Sequence, residues 1–545
     1  RFLLVGLAAF ALLQARQSQA QSLEGLEVHG DFQIDAQYYR EDSVIGAPKV
    51  PESVLMNAYG NFIITYGNFS AGARYEAYLN PLQGFDPRYK GSGIPYRYLS
   101  YSKDGLSITA GSFYEQFGNG LIFRSYEERG LGLDNAMDGL RIRFSPYKGV
   151  YLKGVYGRQR QFFELSPAIV RGADAEVQLN EVLPQLAEAK TRVIVGGSFI
   201  SKFQEDNNPT YVLPENVAAS AARVTINRGA VSLNGEYAYK INDPSQVNNY
   251  IYKNGESVLL TASYSQKGLG VIVGAKRVDN MDFRSDRNAT GNVANINFLP
   301  ALTKQHTSNL AASMAPSATQ PMGEMSYQAE VSYQLPRNTW YGGQYGTQIT
   351  VNYSKVKSLD KTALDDDSTA RINYKSNRFE FGDELYFRDF NIEITRKFSR
   401  KTKATVSYLN LRYNKDVVQG LADYGIIDAH IGIADVQYKI TPRHIIRTEA
   451  QGLFTKQDMG SWAMGLVEYT FAPRWFVAVM DQYNYGNPEE KEQVHYFLGS
   501  VGYNKHTSRV QLSYGRQRAG IVCVGGVCRN VPASNGLTLS ISSSF

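Results

Sequence analysis

Apolar and polar residues alternate one for one along most of this chain. In the first such segment Val28, Gly30, Phe32, Ile34, Ala36 and Tyr38 share one face, while His29, Asp31, Gln33, Asp35 and Gln37 share the other. At the far end Leu537, Leu539, Ile541 and Phe545 oppose Thr538, Ser540, Ser542 and Ser544. Successive side chains of a strand point to opposite faces, so a period of two predicts two-faced strands. Many of the segments run to roughly 10–13 residues, close to the ~9–11 that cross a bilayer at a tilt. Strands of a soluble sandwich are usually shorter.

The links between segments also alternate. Short ones occur at Gly67-Asn68-Phe69, Lys103-Asp104-Gly105, Asn227-Arg228-Gly229, Gln266-Lys267-Gly268 and Ala472-Pro473-Arg474. Longer ones fall mostly between them, at about 41–52, 80–95, 116–136, 161–172, 242–254, 280–323, 357–387, 414–427 and 519–534. Short turns on one side and long loops on the other are the arrangement of a membrane barrel. The pattern predicts an all-β fold: a single-chain antiparallel transmembrane β-barrel of about 24 strands, within a range of about 20–26. Its turns are periplasmic and short, its extracellular loops long. The eighth strand is expected over Ala173–Leu179, with Glu181–Ala189 as a short helical link, and the sixteenth from near Arg388. An even count puts both termini in the periplasm.

Arg1 precedes an apolar run, Phe2 to Leu13, and Ser18-Gln19-Ala20 is a small-x-small cleavage site. Residues 1–20 therefore read as a signal peptide and 21–545 as the barrel. No later stretch approaches the ~18 apolar residues of a membrane helix, and mean hydropathy is −0.33. A helical membrane protein is excluded; a barrel, which hides its hydrophobicity by alternation, is not. The 38 tyrosines suit interfacial girdles. The net charge of +6 is spread along the chain, so no basic cluster argues for nucleic acid.

The aromatic Phe545, in phase with the apolar face of the last strand, resembles the closing strand of bacterial outer-membrane barrels. That resemblance implies that Phe545 is the signal read by the barrel-assembly machinery. Plug-bearing TonB-dependent transporters, assembly-machinery barrels and ushers are set aside, because no plug-sized or periplasmic domain precedes the first strand and the 280–323 insertion is too short for an usher plug. As a whole the mature chain resembles the large, uncharacterised outer-membrane barrels of Bacteroidetes-type bacteria. This rests on general barrel features and on the glycine-rich segment Gly111–Gly132, and it implies location rather than activity.

That segment leaves the fifth strand through Gly118 and Gly120, carries Arg124, Glu127, Glu128 and Arg129, and leads to Asp138, Arg141 and Arg143. Glycines let a chain fold back sharply, and mixed charges can pair with a barrel wall. These seven residues are the expected lumen constriction. A lumen this wide needs an occluder, and the 80–95 and 280–323 loops are further candidates. Lumen-facing parity includes Asp31, Asp35, Arg74, Glu76, Lys153, Glu236, Arg447 and Glu449, with both signs present.

Cys523 and Cys528 enclose two glycines and are an expected hairpin disulfide of an exported chain. Asp365-Asp366-Asp367 reads as a solvated acidic loop rather than a calcium site. The six histidines form no cluster and no hydrolase motif is present, so no catalytic, metal or cofactor residue is expected, and no enzyme. Two functions compete. One is a porin-like or transport barrel narrowed by inward-folded loops, passing a small solute. The other is a non-conducting scaffold for an envelope protein partner in a secretion, motility or surface-lipoprotein complex. Both imply outer-membrane lipid and lipopolysaccharide as surroundings.

Overall fold

Alternation becomes ladder throughout the chain. The computed structural model describes residues 25–314, 319–364, 371–524 and 527–545. Twenty-four antiparallel strands form one sheet, each bonded to its sequence neighbours. The first, Leu26–Arg40, pairs with Val54–Tyr66 on one side and with the last, Ser534–Ser544, on the other. Ile34 faces Ala58 in the first ladder and Ile541 in the second, so the sheet closes on itself. Closure gives the backbone amides and carbonyls partners within the sheet, as a hydrocarbon surrounding requires.

The two faces have inverted polarity. Phe62, Ile64, Leu99, Ile142, Val406 and Val479 are exposed on the outward face, while Arg74, Glu76, Glu236 and Asn352 are buried on the inward one. Water outside would strand the apolar belt; lipid outside satisfies it. Aromatic pairs sit near the short turns, with Phe69 and Tyr101 centroids 5.0 Å apart and Trp475 and Tyr503 4.6 Å apart. They form part of an interfacial girdle.

The closing seam is built around a glycine. The Phe545 amide donates to the Gly30 carbonyl at 2.9 Å, and the Gly30 amide donates back at 3.0 Å. The Phe545 ring lies over Gly30, where a Cβ would stand 2.4 Å from it. The ring centroid is 6.3 Å from that of Phe62. Phe545 thus faces outward with the apolar belt.

Three elements differ from the sequence reading. The eighth strand is Glu164–Gln178, longer than expected, and only Phe162 and Phe163 separate it from Val150–Gln161. The expected link at about 161–172 is thus mostly strand, and Pro167 is tolerated because it lies where the ladder is interrupted, between the Arg160–Leu165 and Arg158–Ile169 pairs. The sixteenth strand, Tyr374–Lys397, starts earlier than expected and pairs with Thr347–Ala363 through several register shifts. The fourth begins at Gly91. The link after the eighth strand is helical at Leu179–Val182. Its buried Asn180 holds it, donating to the Leu186 and Thr191 carbonyls and accepting from the Val193 amide at 2.8 Å.

Candidate functional site

The chain leaves the fifth strand, Leu106–Phe113, and turns inward before re-entering the wall at Met137–Phe144. Two tiny ladders shape the excursion: Glu115–Gln116 with Arg124–Ser125, and Glu127–Glu128 with Leu133–Asp134. Phe117, Leu121, Ile122 and Phe123 are fully buried against wall residues such as Val155, Val170 and Ile200. Met281, Phe283 and Ile296 of the long loop after Leu269–Asp279 complete this core. Burying each such side chain stabilises by about 1.5–3 kcal/mol, so the two inward segments have a hydrophobic core of their own against the wall.

Charge fixes their positions. Arg74 meets Glu76 at 2.7 Å, Glu127 at 2.9 Å, and Asp134. Arg160 meets Glu76 and Asp134, both at 2.6 Å. Two guanidinium groups thus serve three carboxylates, and both arginine side chains are only 3% exposed. Tyr114 donates to Asp134 at 3.1 Å, and burial pushes its phenol well up. Glu115 pairs with Arg143 at 2.6 Å and Lys153 at 3.2 Å. Burial alone would raise its carboxyl; the two cations outweigh that and hold it below the ordinary 4.5.

At the tip, Gly118 has φ +50°, and a Cβ there would lie 2.6 Å from the Glu236 carboxylate. That close approach lets the Asn119 amide donate to Glu236 at 2.7 Å.

The second inward segment is held similarly. Lys202 donates to the Arg284 carbonyl at 2.7 Å and pairs with Asp243 at 2.6 Å. Arg287 lies 3.4 Å from Asp243, and Lys276, paired with Glu324 of the next wall strand, donates to the Pro300 carbonyl at 2.5 Å. Burial would raise the Asp243 carboxyl, but Lys202 and Lys240 bring it below its ordinary 3.8.

The residues expected at a constriction are placed as follows. Glu127 bridges Arg74 and Arg129, and Arg129 stacks on Tyr59 at 4.7 Å. Arg124 is held between Tyr126 and Phe298, 4.1 Å from each ring. Glu128 accepts from the Gly130 amide at 3.2 Å and caps the turn Arg129–Leu131. Arg141 donates to the Tyr114 carbonyl at 3.1 Å, and Arg143 holds Glu115.

Asp138 does not join them. It lies three positions from Arg141, so it points to the opposite face, where it meets the exposed Arg97 at 3.4 Å. Cys523 and Cys528 are register partners in a short hairpin, but their side chains lie outside the described residues. Asp365-Asp366-Asp367 and residues 1–20, the expected signal peptide, also lie outside the described residues.

The opposite side of the lumen is lined differently. The short helix Asn309–Met314 packs Leu310, Ala311 and Met314 on a wall of Leu409, Leu411, Tyr413, Ile427 and Ile431. The hairpin Gly520–Val524 with Val527–Val531 contacts both this helix and the turn Arg129–Leu131. Two cavities of about 400 and 290 Å³ remain here, and both are lined by Arg518, Ala519, Gly520 and Ile521. The Arg518 guanidinium sits 4.6 Å above the Trp462 ring.

Sequence reasoning missed Arg518, Arg160 and the Lys202–Asp243 pair. Only their parity or loop position was visible, and their partners lie 26 to 84 residues away where they are known.

Comparison with solved structures finds the P pilus usher PapC translocation pore at 11% identity, covering 95% of this chain and 99% of that one, with a TM-score of 0.47. The siderophore receptor PirA of Pseudomonas aeruginosa follows at 9% identity, 95% and 80% coverage and a TM-score of 0.40. The outer membrane protein opdK of Pseudomonas aeruginosa gives 11% identity, 73% and 97% coverage and a TM-score of 0.32. No curated protein matches the chain. Residues 1–545 match a family of unknown function, and the chain belongs to that family, DUF6029.

Proposed function

We propose that this chain is an outer-membrane, porin-like transport barrel whose lumen is closed at rest by its own inward-folded segments. The observation that carries this reading is the buried clasp of Arg74 and Arg160 on Glu76, Glu127 and Asp134. Desolvated ion pairs tolerate no half-made arrangement, since losing one partner leaves a buried charge. Such a clasp therefore has two states, docked or released, which is what a gate needs.

Below it, the inward face stays polar and partly exposed at Asp435 and Arg447, which pair at 2.5 Å. This supports a hydrated vestibule. Most of the titratable groups gathered around the clasp are engaged in ion pairs, which favours transport over catalysis. Both termini face the periplasm, Phe545 is read by the assembly machinery, and lipopolysaccharide surrounds the outer rim.

Planar-bilayer recording tests the reading. The wild-type barrel should show small or infrequent steps, and Arg160→Ala should show larger and more frequent ones. Silence in both, with an envelope protein co-purifying, would instead favour a non-conducting scaffold.

A further inference from the structure

Most cations inside this barrel have an acid close by. Arg516 lies 2.7 Å from Asp42, and Lys415 lies 2.7 Å from Asp458. Arg518 departs from this pattern. Among the described residues no carboxylate comes within 4.0 Å of it, and it rests against the face of Trp462. Burial pushes its guanidinium down to about 10, with Tyr496, Tyr413 and Asp458 too weak to offset the loss of water. Arg518 is half-buried, and a guanidinium even partly withdrawn from water without a counter-charge is costly.

The surroundings are shaped for a guest. Arg518 lies where the cavities of about 400 and 290 Å³ meet. Ligand pockets start at roughly 300 Å³. Met480 and Leu498 line the larger cavity, and Trp462 and Tyr413 the smaller. The buried Oε1 of Gln482, beside the larger cavity, has no hydrogen-bond partner.

We infer that Arg518 binds the anionic group of a solute with an apolar body, the carboxylate or phosphate against the guanidinium fork and the hydrocarbon against Trp462, Met480 and Leu498. The planar fork matches a carboxylate in a bidentate manner and also accepts phosphate. Arg516 and Lys415 are already paired, so among the described residues lining these cavities Arg518 is the cation available to a guest. This deepens, and rests on, the transport reading.

The chain has 3 tryptophans, and Trp340 and Trp475 are 90% and 47% exposed while Trp462 is 2% exposed. In the full-length barrel carrying Trp340→Phe and Trp475→Phe, emission reports on Trp462 alone. Hexanoate, inorganic phosphate and uncharged hexanol would be titrated at constant ionic strength in detergent, with heat-modifiable gel mobility confirming that each variant is folded.

A saturable change with hexanoate and none with hexanol is expected. Arg518→Gln should raise the half-saturating concentration at least about tenfold, the loss expected for a charge-assisted bond, and Arg518→Lys should fall between. Saturation by phosphate at lower concentration than hexanoate assigns a phosphorylated solute to the same site. No saturable response to either anion, or an unchanged midpoint in Arg518→Gln, overturns the inference. Because this is equilibrium binding, a silent bilayer with intact binding refutes the channel and leaves the site standing.

Discussion

Strands from Phe69 to Asp279 hold their inward segments by buried ion pairs added to a hydrophobic core, whereas those from Thr402 to Leu498 hold the helix Asn309–Met314 by hydrocarbon. On the first side Arg74, Arg160, Lys202 and Asp243 are buried and paired. On the second, Leu411, Ile427, Ile431 and Trp462 are buried and the cavities remain. Ion pairs are directional and fail abruptly when one partner goes. Apolar contacts fail in proportion to the volume removed. The charged side is therefore suited to holding or releasing, and the apolar side to accommodating a guest.

The largest effect should come from Arg160→Ala. Leaving Glu76 and Asp134 without it should destabilise the docked segment by about 3–5 kcal/mol. Limited trypsin digestion at Arg124 and Arg129 should accelerate accordingly, and unchanged digestion would remove the distinction between the sides. Next, Leu411→Ala on the apolar side should cost about 2–4 kcal/mol in denaturant unfolding, while leaving bilayer conductance at the wild-type level. A Leu411→Ala barrel that opened like Arg160→Ala would break the comparison.

Acid separates the sides again. Glu115 and Asp243 have folded values below their ordinary 4.5 and 3.8. Their contribution is fully present above those ordinary values and is lost as pH falls through the lower folded ones. Conductance should stay flat from about pH 8 to 5 and rise below about pH 4. A rise that begins near neutrality would point to other groups.

The smallest effect belongs to Arg412 and Asp428, 4.0 Å apart and each about two-fifths exposed. Asp428→Asn should shift stability by less than about 0.5 kcal/mol.

Much of the barrel was legible because period two survives in any strand with one face in lipid and one in a polar lumen. The starts at Val54, Leu106, Val150, Thr191, Val231 and His444 follow from it directly. Glu164–Leu165–Ser166 is less legible because the strand runs through Pro167, whose tolerance depends on an irregularity of the neighbouring strand. Asp138 was grouped with Arg141 and Arg143 by charge, where parity separates them. The inward segment announced itself through Gly118, Gly120 and its mixed charges. Arg518 did not, because its meaning lies in the absence of an acid from loops distant in the chain, which no local pattern records.

The clasp also constrains the order of assembly. Arg160 meets Glu76 across 84 residues, Asn119 meets Glu236 across 117, and Asn297 reaches the Leu121 carbonyl across 176. The segment around Phe117–Phe123 emerges well before the strands that will enclose it. Until Glu236 and the 280–297 stretch are in place, the Asn119 amide and the Leu121 carbonyl have only water as partner. Its docking is thus a late event, set by contacts of long sequence separation. A chain halted before residue 297 would carry a plug clasped by charge but lacking the cover of Met281, Phe283 and Ile296, a plain target for the proteases of the compartment in which the barrel is built.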